Sequence, residues 1–204
     1  MIIPAARKAL RLLFRRRGAL FERGWFRSVR TGLAVDRLGE PLPWYCYSAI
    51  QFLQPRLRND MRVFEYGAGY STLWYASRVR EIVSVDHNKK WIGALQEGVS
   101  ALPVTLLHQD DPEGYERSIA EFGQFDVVVV DGISRTNCYR ACQANLKSEG
   151  VIIWDNSNRE EFQRMLPEFK ADGFKVIELS GIGPINTYEW STAFLYRKDN
   201  CLGL

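Results

Sequence analysis

The chain has 204 residues, of which 46% are hydrophobic and 25% are charged, and its formal net charge is +3. This length and composition suit one globular domain with a sizeable core and argue against a repeat or low-complexity protein. No apolar run approaches the roughly 20 residues that a membrane-spanning helix needs. The four cysteines form no CxxC pair, and no apolar segment with a cleavage site follows the basic N-terminus, so we expect a reducing, cytoplasmic setting.

The first 30 residues carry much of the positive charge. They hold nine of the 27 Lys and Arg residues and one acid, so this segment is +8 and the remainder is −5. Apolar residues alternate with the bases, which predicts a basic amphipathic extension over residues 1–40, ahead of a domain at 41–204. Residues 1–30 suit peripheral contact with the inner membrane surface or an acidic partner, or packing on the acidic domain itself. No nucleic-acid-binding motif accompanies them, and we expect no nucleic acid partner.

Strands and helices alternate after the segment Gly39–Pro43, which interrupts the chain. Pro43 predicts a helix at Trp44–Leu53. Helices are then expected near 71–78, 89–100, 112–122, 136–147 and 159–172. The predicted strands are Arg62–Tyr66, Ile82–Asp86, Val104–Leu107, Phe125–Val130, Val151–Trp154, Lys175–Leu179 and Ala193–Tyr196. This order predicts a doubly wound α/β fold: a mostly parallel seven-stranded sheet with an antiparallel last strand and an N-terminal helical extension.

A glycine turn follows the first predicted strand. Its residues are Gly67, Ala68, Gly69, Ser71 and Thr72, and Glu65 lies two residues before the first glycine. Glycines allow the backbone to approach a ligand closely, or they simply pack the strand against the helix. A dinucleotide-binding turn has a third glycine where this chain has Thr72. The carboxylate of Glu65 repels a pyrophosphate and suits a cationic ligand, so a nicotinamide-dependent oxidoreductase is the less favoured alternative.

Polar residues also follow the other strands, where an open α/β sheet binds its ligands. We expect Asp86 to accept hydrogen bonds from ribose hydroxyls, although it could instead cap the next helix. His87 is expected beside the adenine or ribose, or exposed in a loop. Asp110 is a candidate acceptor for an adenine amino group, with Asp111 as its competitor or as a helix cap.

The block Glu65-x-Gly67-x-Gly69-x-Ser71 resembles the first motif of the class I S-adenosylmethionine-dependent methyltransferases. The segments Phe125–Gly132 and Gly150–Asn156 are similar to that fold's fourth- and fifth-strand motifs, and the resemblance runs from about Pro43 to Arg197. It implies S-adenosylmethionine as cofactor and methyl transfer to oxygen of a small or lipid-linked acceptor. The cofactor-binding residues that it implies are Glu65, Gly67, Ala68, Gly69, Ser71, Thr72, Asp86, His87, Asp110 and Asp131.

Oxygen ligands converge after the fourth and fifth strands. Asp131, Asp155 and Asn156 are hard donors suited to Mg²⁺, and their pattern resembles the metal triad of catechol and caffeoyl-CoA type O-methyltransferases. Those enzymes have a lysine base shortly after the first Asp, where this chain has Ile133-Ser134-Arg135. The alternatives are hydrogen bonding within the loops, or contact with cofactor and substrate without metal.

Three residues are candidate catalytic bases: Asp131, Asp155 and His108. Five aromatic residues are candidates for the wall of an acceptor pocket or for the core, namely Trp44, Tyr45, Tyr47, Tyr188 and Trp190. Since the lysine is missing, a catalytically silent binding module of the same fold remains an alternative.

Overall fold

The computed structural model describes Lys8 and residues 18–204. The helices in that part of the chain are α1 (Ala19–Glu22), α2 (Trp25–Thr31), α3 (Tyr47–Leu53), α4 (Tyr70–Ala76), α5 (Lys89–Val99), α6 (Pro112–Arg117), α7 (Arg135–Cys142) and α8 (Glu160–Ala171). The strands are β1 (Arg62–Tyr66), β2 (Glu81–Asp86), β3 (Val104–His108), β4 (Phe125–Val130), β5 (Leu146–Asp155), β6 (Lys175–Gly181) and β7 (Trp190–Tyr196). Five of the ten basic residues of the N-terminal extension lie outside the described residues, namely Arg7, Arg11, Arg15, Arg16 and Arg17.

The strands form one seven-stranded sheet in the order β3-β2-β1-β4-β5-β7-β6. The first five of these strands are parallel, and β7 is antiparallel to both of its neighbours. The predicted doubly wound sheet with an antiparallel last strand is therefore confirmed. The strand order reverses between β1 and β4, and ligands of such sheets bind beside that point.

Helices cover both faces of the sheet, because successive strand residues point to opposite sides. On one face Phe64, Val128 and Ile152 pack with aromatic residues of α6, α7 and α8. On the other face Val63, Val127 and Ile153 pack with residues of α3 and α4. Glu65, two residues after Val63, belongs to this second face and is fully buried.

Several element boundaries differ from the prediction; β7, for example, begins at Trp190 and not at Ala193, and α6 ends at Arg117. The helix expected from Trp44 begins at Tyr47, so Trp44 stays outside it and is 48% exposed. The helix expected near 136–147 ends at Cys142 and passes through a 3₁₀ turn at Gln143–Asn145, since β5 already begins at Leu146. The polar segment Lys147–Glu149 within β5 hides this early start. No described helix combines the length and hydrophobicity that crossing a bilayer requires.

Candidate active site

A cleft of about 590 Å³ opens at the carboxyl ends of β1, β2, β4 and β5. Its inner part is lined by the glycine turn after β1, by the residues that follow β2 and by those that follow β4 and β5. Its outer part is lined by the loop after α2 and by the loop between β6 and β7. The cleft therefore lies beside the reversal of strand order, where the sequence predicts a site.

The glycine turn forms the floor of the cleft. Gly67 has a φ of +99°, and a Cβ there would lie 2.9 Å from the amide nitrogen of Gly132, in the loop after β4. Both the backbone conformation and the close approach of the two loops thus require glycine. A Cβ on Gly69 would meet nothing nearer than the Ser71 hydroxyl oxygen at 3.6 Å. A Cβ on Gly69 would therefore make only ordinary van der Waals contacts, and Gly69 itself lines the cleft.

Glu65 lies behind the turn and is not among the residues that line the cleft. Its Oε2 atom accepts hydrogen bonds from the hydroxyls of Thr72, at 2.5 Å, and Ser84, at 2.7 Å. Thr72 in turn accepts from the Gly69 amide at 3.0 Å, so the carboxylate helps to fix the turn. Burial raises the pKa of Glu65 to about 7, against the lowering effect of the neighbouring hydroxyls. Oε1 is buried and has no hydrogen-bond partner among the described residues.

Asp86, at the end of β2, is 8% exposed and lines the cleft. Its Oδ1 atom accepts from the Asn88 amide at 2.7 Å and lies 3.5 Å from Nδ1 of His87. Its Oδ2 atom accepts no hydrogen bond from the part of the chain that the structure describes. The cap of α5 is Asn88, whose side chain accepts from the amides of Lys90 and Trp91. Asp86 is therefore not the helix cap that was its alternative role.

Trp91 is a cleft residue that the sequence reasoning missed. Its indole Nε1 donates to the carbonyl oxygen of Ala68 at 2.6 Å, which fixes α5 against the glycine turn. The ring is 37% exposed and lines the cleft. From the sequence alone, an apolar residue of a helix is assigned to the core. Only the docking of α5 beside the glycine turn shows that Trp91 lines the cleft.

Arg135 organises the ends of β4 and β5, and it too was missed as a site residue. This residue is 6% exposed. Its guanidinium donates to the carbonyl oxygens of Gly132, Asp155 and Asp131 at 3.1, 2.7 and 3.0 Å. It also donates to Oδ1 of Asp131 and to Oδ1 of Asn156, both at 3.2 Å. A fixed organic cation thus lies between two of the three oxygen ligands that the metal hypothesis assigns.

Asp155 is the third predicted metal ligand, and both of its carboxylate oxygens also accept hydrogen bonds from protein groups. Asp155 accepts from Thr192 at 2.5 Å and Trp190 at 3.3 Å through Oδ1, and from the Asn156 amide nitrogen at 2.9 Å through Oδ2. Among the described residues, no three His, Cys, Asp or Glu side chains are grouped as a cation site. The donor set does not fit Mg²⁺, because all of its oxygens except Oδ2 of Asp131 already accept hydrogen bonds from Arg135, Thr192, Trp190 and Asn156. The magnesium prediction is not supported, and Arg135 provides the physical reason.

Asp131 keeps one oxygen free at the cleft. Its side chain is 22% exposed, and Oδ2 accepts no hydrogen bond from any described residue. Withdrawal from water raises the pKa of Asp131 well above its usual range, the Asp155 carboxylate adds to this effect, and the Arg135 guanidinium opposes it. Burial also raises the pKa of Asp155, against the hydrogen bond from Thr192 and the charge of Arg135. Asp131 is thus a carboxyl group able to accept a proton inside the cleft.

The outer part of the cleft is apolar and aromatic. Of the five aromatic residues proposed for an acceptor pocket, Trp44, Tyr188 and Trp190 line it, whereas Tyr45 and Tyr47 are buried in the core. Leu33, Ile133 and Ile185 add aliphatic surface, and Arg159 is a further lining residue that sequence reasoning missed. The sequence feature that could have identified Arg159 is its position four residues after Asp155, the last residue of β5.

The other predicted residues divide into two groups. Ala68, Ser71, His87 and Asn156 line the cleft with those described above. His108 and Asp110 lie at the end of β3, outside the lining residues, and Thr72 is buried behind the turn. Asp111 caps α6 by accepting from the Gly114 amide at 2.7 Å.

No family model and no curated protein sequence matches the chain, but solved structures share its fold. A putative O-methyltransferase from Klebsiella pneumoniae is 17% identical, with a TM-score of 0.61 over 95% of this chain and 96% of that chain. A precorrin 8w decarboxylase from Methanobacterium thermoautotrophicum is 21% identical, with a TM-score of 0.60 over 82% of this chain and 97% of that chain.

A third similar structure is a putative methyltransferase from Streptococcus mutans in complex with S-adenosylhomocysteine. It is 11% identical, with a TM-score of 0.53, over 72% of this chain and 94% of that chain. The fold of this chain is the Rossmann-like fold of the class I S-adenosylmethionine-dependent methyltransferases, as the sequence resemblance implies.

Proposed function

We propose that the protein is an S-adenosylmethionine-dependent methyltransferase that acts on an oxygen atom of a small or lipid-linked acceptor. The observation that carries the proposal is Oδ2 of Asp86, which accepts no hydrogen bond from the described residues and lies in the same cleft as the glycine turn. A carboxylate at the end of the second strand suits the paired hydroxyls of a ribose. The solved structure with S-adenosylhomocysteine bound to the same fold supports this choice of ligand.

The cleft suits a cationic cofactor better than a pyrophosphate. Asp86 and Asp131 line it near the turn, and Glu65 lies buried behind them. The unpartnered Oε1 of Glu65 is an acceptor for an amino group or a bridging water. Gly67 and Gly69 line the cleft and present backbone without a side chain to a ligand. These features fit S-adenosylmethionine, which carries a sulfonium and an amino group and no phosphate.

Catalysis would depend on positioning and on one proton acceptor. S-adenosylmethionine supplies an activated methyl group when it is bound. The chain's own residues orient the acceptor and exclude water with the aliphatic surface of Leu33, Ile133 and Ile185; positioning of this kind supplies on the order of 7–11 kcal/mol. Asp131 accepts the proton of the acceptor hydroxyl through Oδ2, and its raised pKa makes it a stronger base than an exposed aspartate. Arg135 fixes the orientation of Asp131 in the absence of any metal-dependent step.

Calorimetric titration tests the proposal directly. S-adenosylmethionine and S-adenosylhomocysteine should bind to the wild type, and Asp86→Asn should weaken both by at least about tenfold, since hydrogen bonds to a charged group contribute about 1.5–3 kcal/mol. Asp60→Asn is the matched control, because Asp60 is exposed just before the amino end of β1, away from the cleft, and pairs with Arg58. NADH serves as the control ligand. Binding of NADH alone would support an oxidoreductase, and binding of the sulfur ligands without methyl transfer to any acceptor would support the silent module.

A further inference from the structure

The outer cleft contains an arginine side chain that forms no ion pair or hydrogen bond with any described residue and whose charge helps to lower the pKa of Asp131. Arg159 directly precedes α8 and lines the cleft beside the aromatic wall. Its guanidinium forms no ion pair and no hydrogen bond with any residue that the structure describes. The acids of the next turn are already engaged, since Glu160 pairs with Arg164 and Glu161 accepts from Thr136. Arg159 is therefore available to a ligand.

The surface around Arg159 suits a flat apolar body. Trp44 is 48% exposed and Tyr188 is 64% exposed, and both line the same cleft. The rings of Tyr188 and Trp190 lie 6.2 Å apart, so they form a continuous aromatic wall. Aromatic walls with a few polar groups are the usual lining of small-molecule sites, and the exposed rings of Trp44 and Tyr188 fit this description.

The loop that carries this wall is held in one shape. Ile185 has a φ of +70°, a conformation that a β-branched residue adopts only under strain. The next residue, Asn186, accepts a hydrogen bond at 2.9 Å from Nε1 of Trp25 in α2. A Cβ on Gly183 would meet the carbonyl oxygen of Tyr45 at 2.3 Å, so the loop also packs closely on the segment before α3. Strained backbone held by such contacts is typical of ligand-binding loops.

We infer that the methyl acceptor is an aromatic or similarly flat molecule that carries a carboxylate or phosphate group, and that Arg159 binds this anion. The inference rests on the proposed function and specifies its substrate class. A guanidinium binds either anion through two parallel hydrogen bonds, which fixes the orientation of the ligand. The acceptor hydroxyl then lies toward the inner cleft, where Asp131 provides the free carboxylate oxygen.

Calorimetric titrations in the presence of saturating S-adenosylhomocysteine test the inference. The probes are 4-hydroxyphenylacetate, 4-hydroxybenzylphosphonate and the neutral 2-(4-hydroxyphenyl)ethanol. The wild type should bind at least one anionic probe about tenfold more tightly than the neutral one, and Arg159→Gln should abolish that difference. Arg164→Gln, on the exposed face of the same helix, is the matched control and should behave as the wild type. The carboxylate and phosphonate probes distinguish the two anions.

Several outcomes would overturn the inference. They are equal binding of charged and neutral probes, no binding of any probe to the wild type, and a loss of S-adenosylhomocysteine binding in Arg159→Gln. The last result would assign Arg159 to the cofactor's own carboxylate. Failure of the proposed function is distinct from all three, because it is the failure of the wild type to bind S-adenosylhomocysteine in a separate titration that contains no probe.

Discussion

The buried carboxyl of Glu65 should make the stability of the protein depend on pH in a calculable way. Its pKa is about 7 in the folded protein, against an ordinary value of 4.5. Because the folded value is the higher one, the stabilisation from this group is complete below pH 4.5 and is lost as the pH rises through 7. The shift of about 2.5 units corresponds to about 3 kcal/mol of unfolding free energy.

Glu65→Gln replaces the carboxyl with a neutral group of the same shape that does not titrate. The unfolding free energy of the variant minus that of the wild type should increase by about 3 kcal/mol as the pH is raised from 4.5 to 8.5. Urea denaturation at a series of pH values measures this difference, and the other acids of the cleft cancel because both proteins contain them. Glu97→Gln, on an exposed face of α5, is the control and should give a curve parallel to that of the wild type.

The reasoning would be refuted by a Glu65→Gln curve that stays parallel to the wild-type curve over the whole pH range. A cationic ligand near Oε1 should also lower the pKa of Glu65, since an opposite charge favours the ionised form. Cofactor binding at pH 7 should then release protons, which appear as a dependence of the calorimetric enthalpy on the ionisation enthalpy of the buffer. Glu65→Gln should reduce that dependence.

Three further perturbations have expected outcomes. Arg135→Met should lower the melting temperature by on the order of 10 °C, because loss of a buried charge partner costs about 3–5 kcal/mol. The same variant should shift the acidic limb of the methyl-transfer pH profile to higher pH, because the pKa of Asp131 rises. Gly67→Ala should cost about 2 kcal/mol or more in urea denaturation, whereas Gly203→Ala, which has a positive φ but nothing within 4 Å, should cost less. Deleting residues 1–17, which carry six bases and no acid, should abolish binding to anionic vesicles in a sedimentation assay; unchanged binding would contradict peripheral membrane contact through the extension.

The sheet and the inner cleft were predictable because they depend on local patterns. Apolar runs such as Phe125–Val130 indicate buried strands, and Asp86 follows its strand directly, so topology alone places it at the ligand-binding edge. Trp91 and Arg159 were missed because their roles arise from how α5 and the start of α8 dock beside the cleft. His108 was a reasonable candidate by the same strand-end rule, yet β3 lies at the edge of the sheet, away from the cleft.

The metal prediction illustrates a different limit. Asp131, Asp155 and Asn156 have the residue types and spacing of an oxygen-ligand site, and sequence cannot show which hydrogen bonds already occupy those oxygens. The departure at Arg135 was visible in the sequence as the absence of a lysine. Its consequence was not, because the turn at Ser134, with a φ of +49°, directs α7 so that the guanidinium reaches back to the strand ends.

The loop after α2 gives the N-terminal extension a direct part in the shape of the cleft. The outer side of the cleft is lined by Gly32, Leu33 and Ala34. Trp25 also donates a hydrogen bond to Asn186 in the loop between β6 and β7. The inner side, from the glycine turn to Asp86, is built entirely by residues after 60. Truncation at residue 41 should therefore separate the two halves of the site: the shortened chain keeps the groups that would hold a nucleoside and loses one wall of the space in which the proposed acceptor would bind.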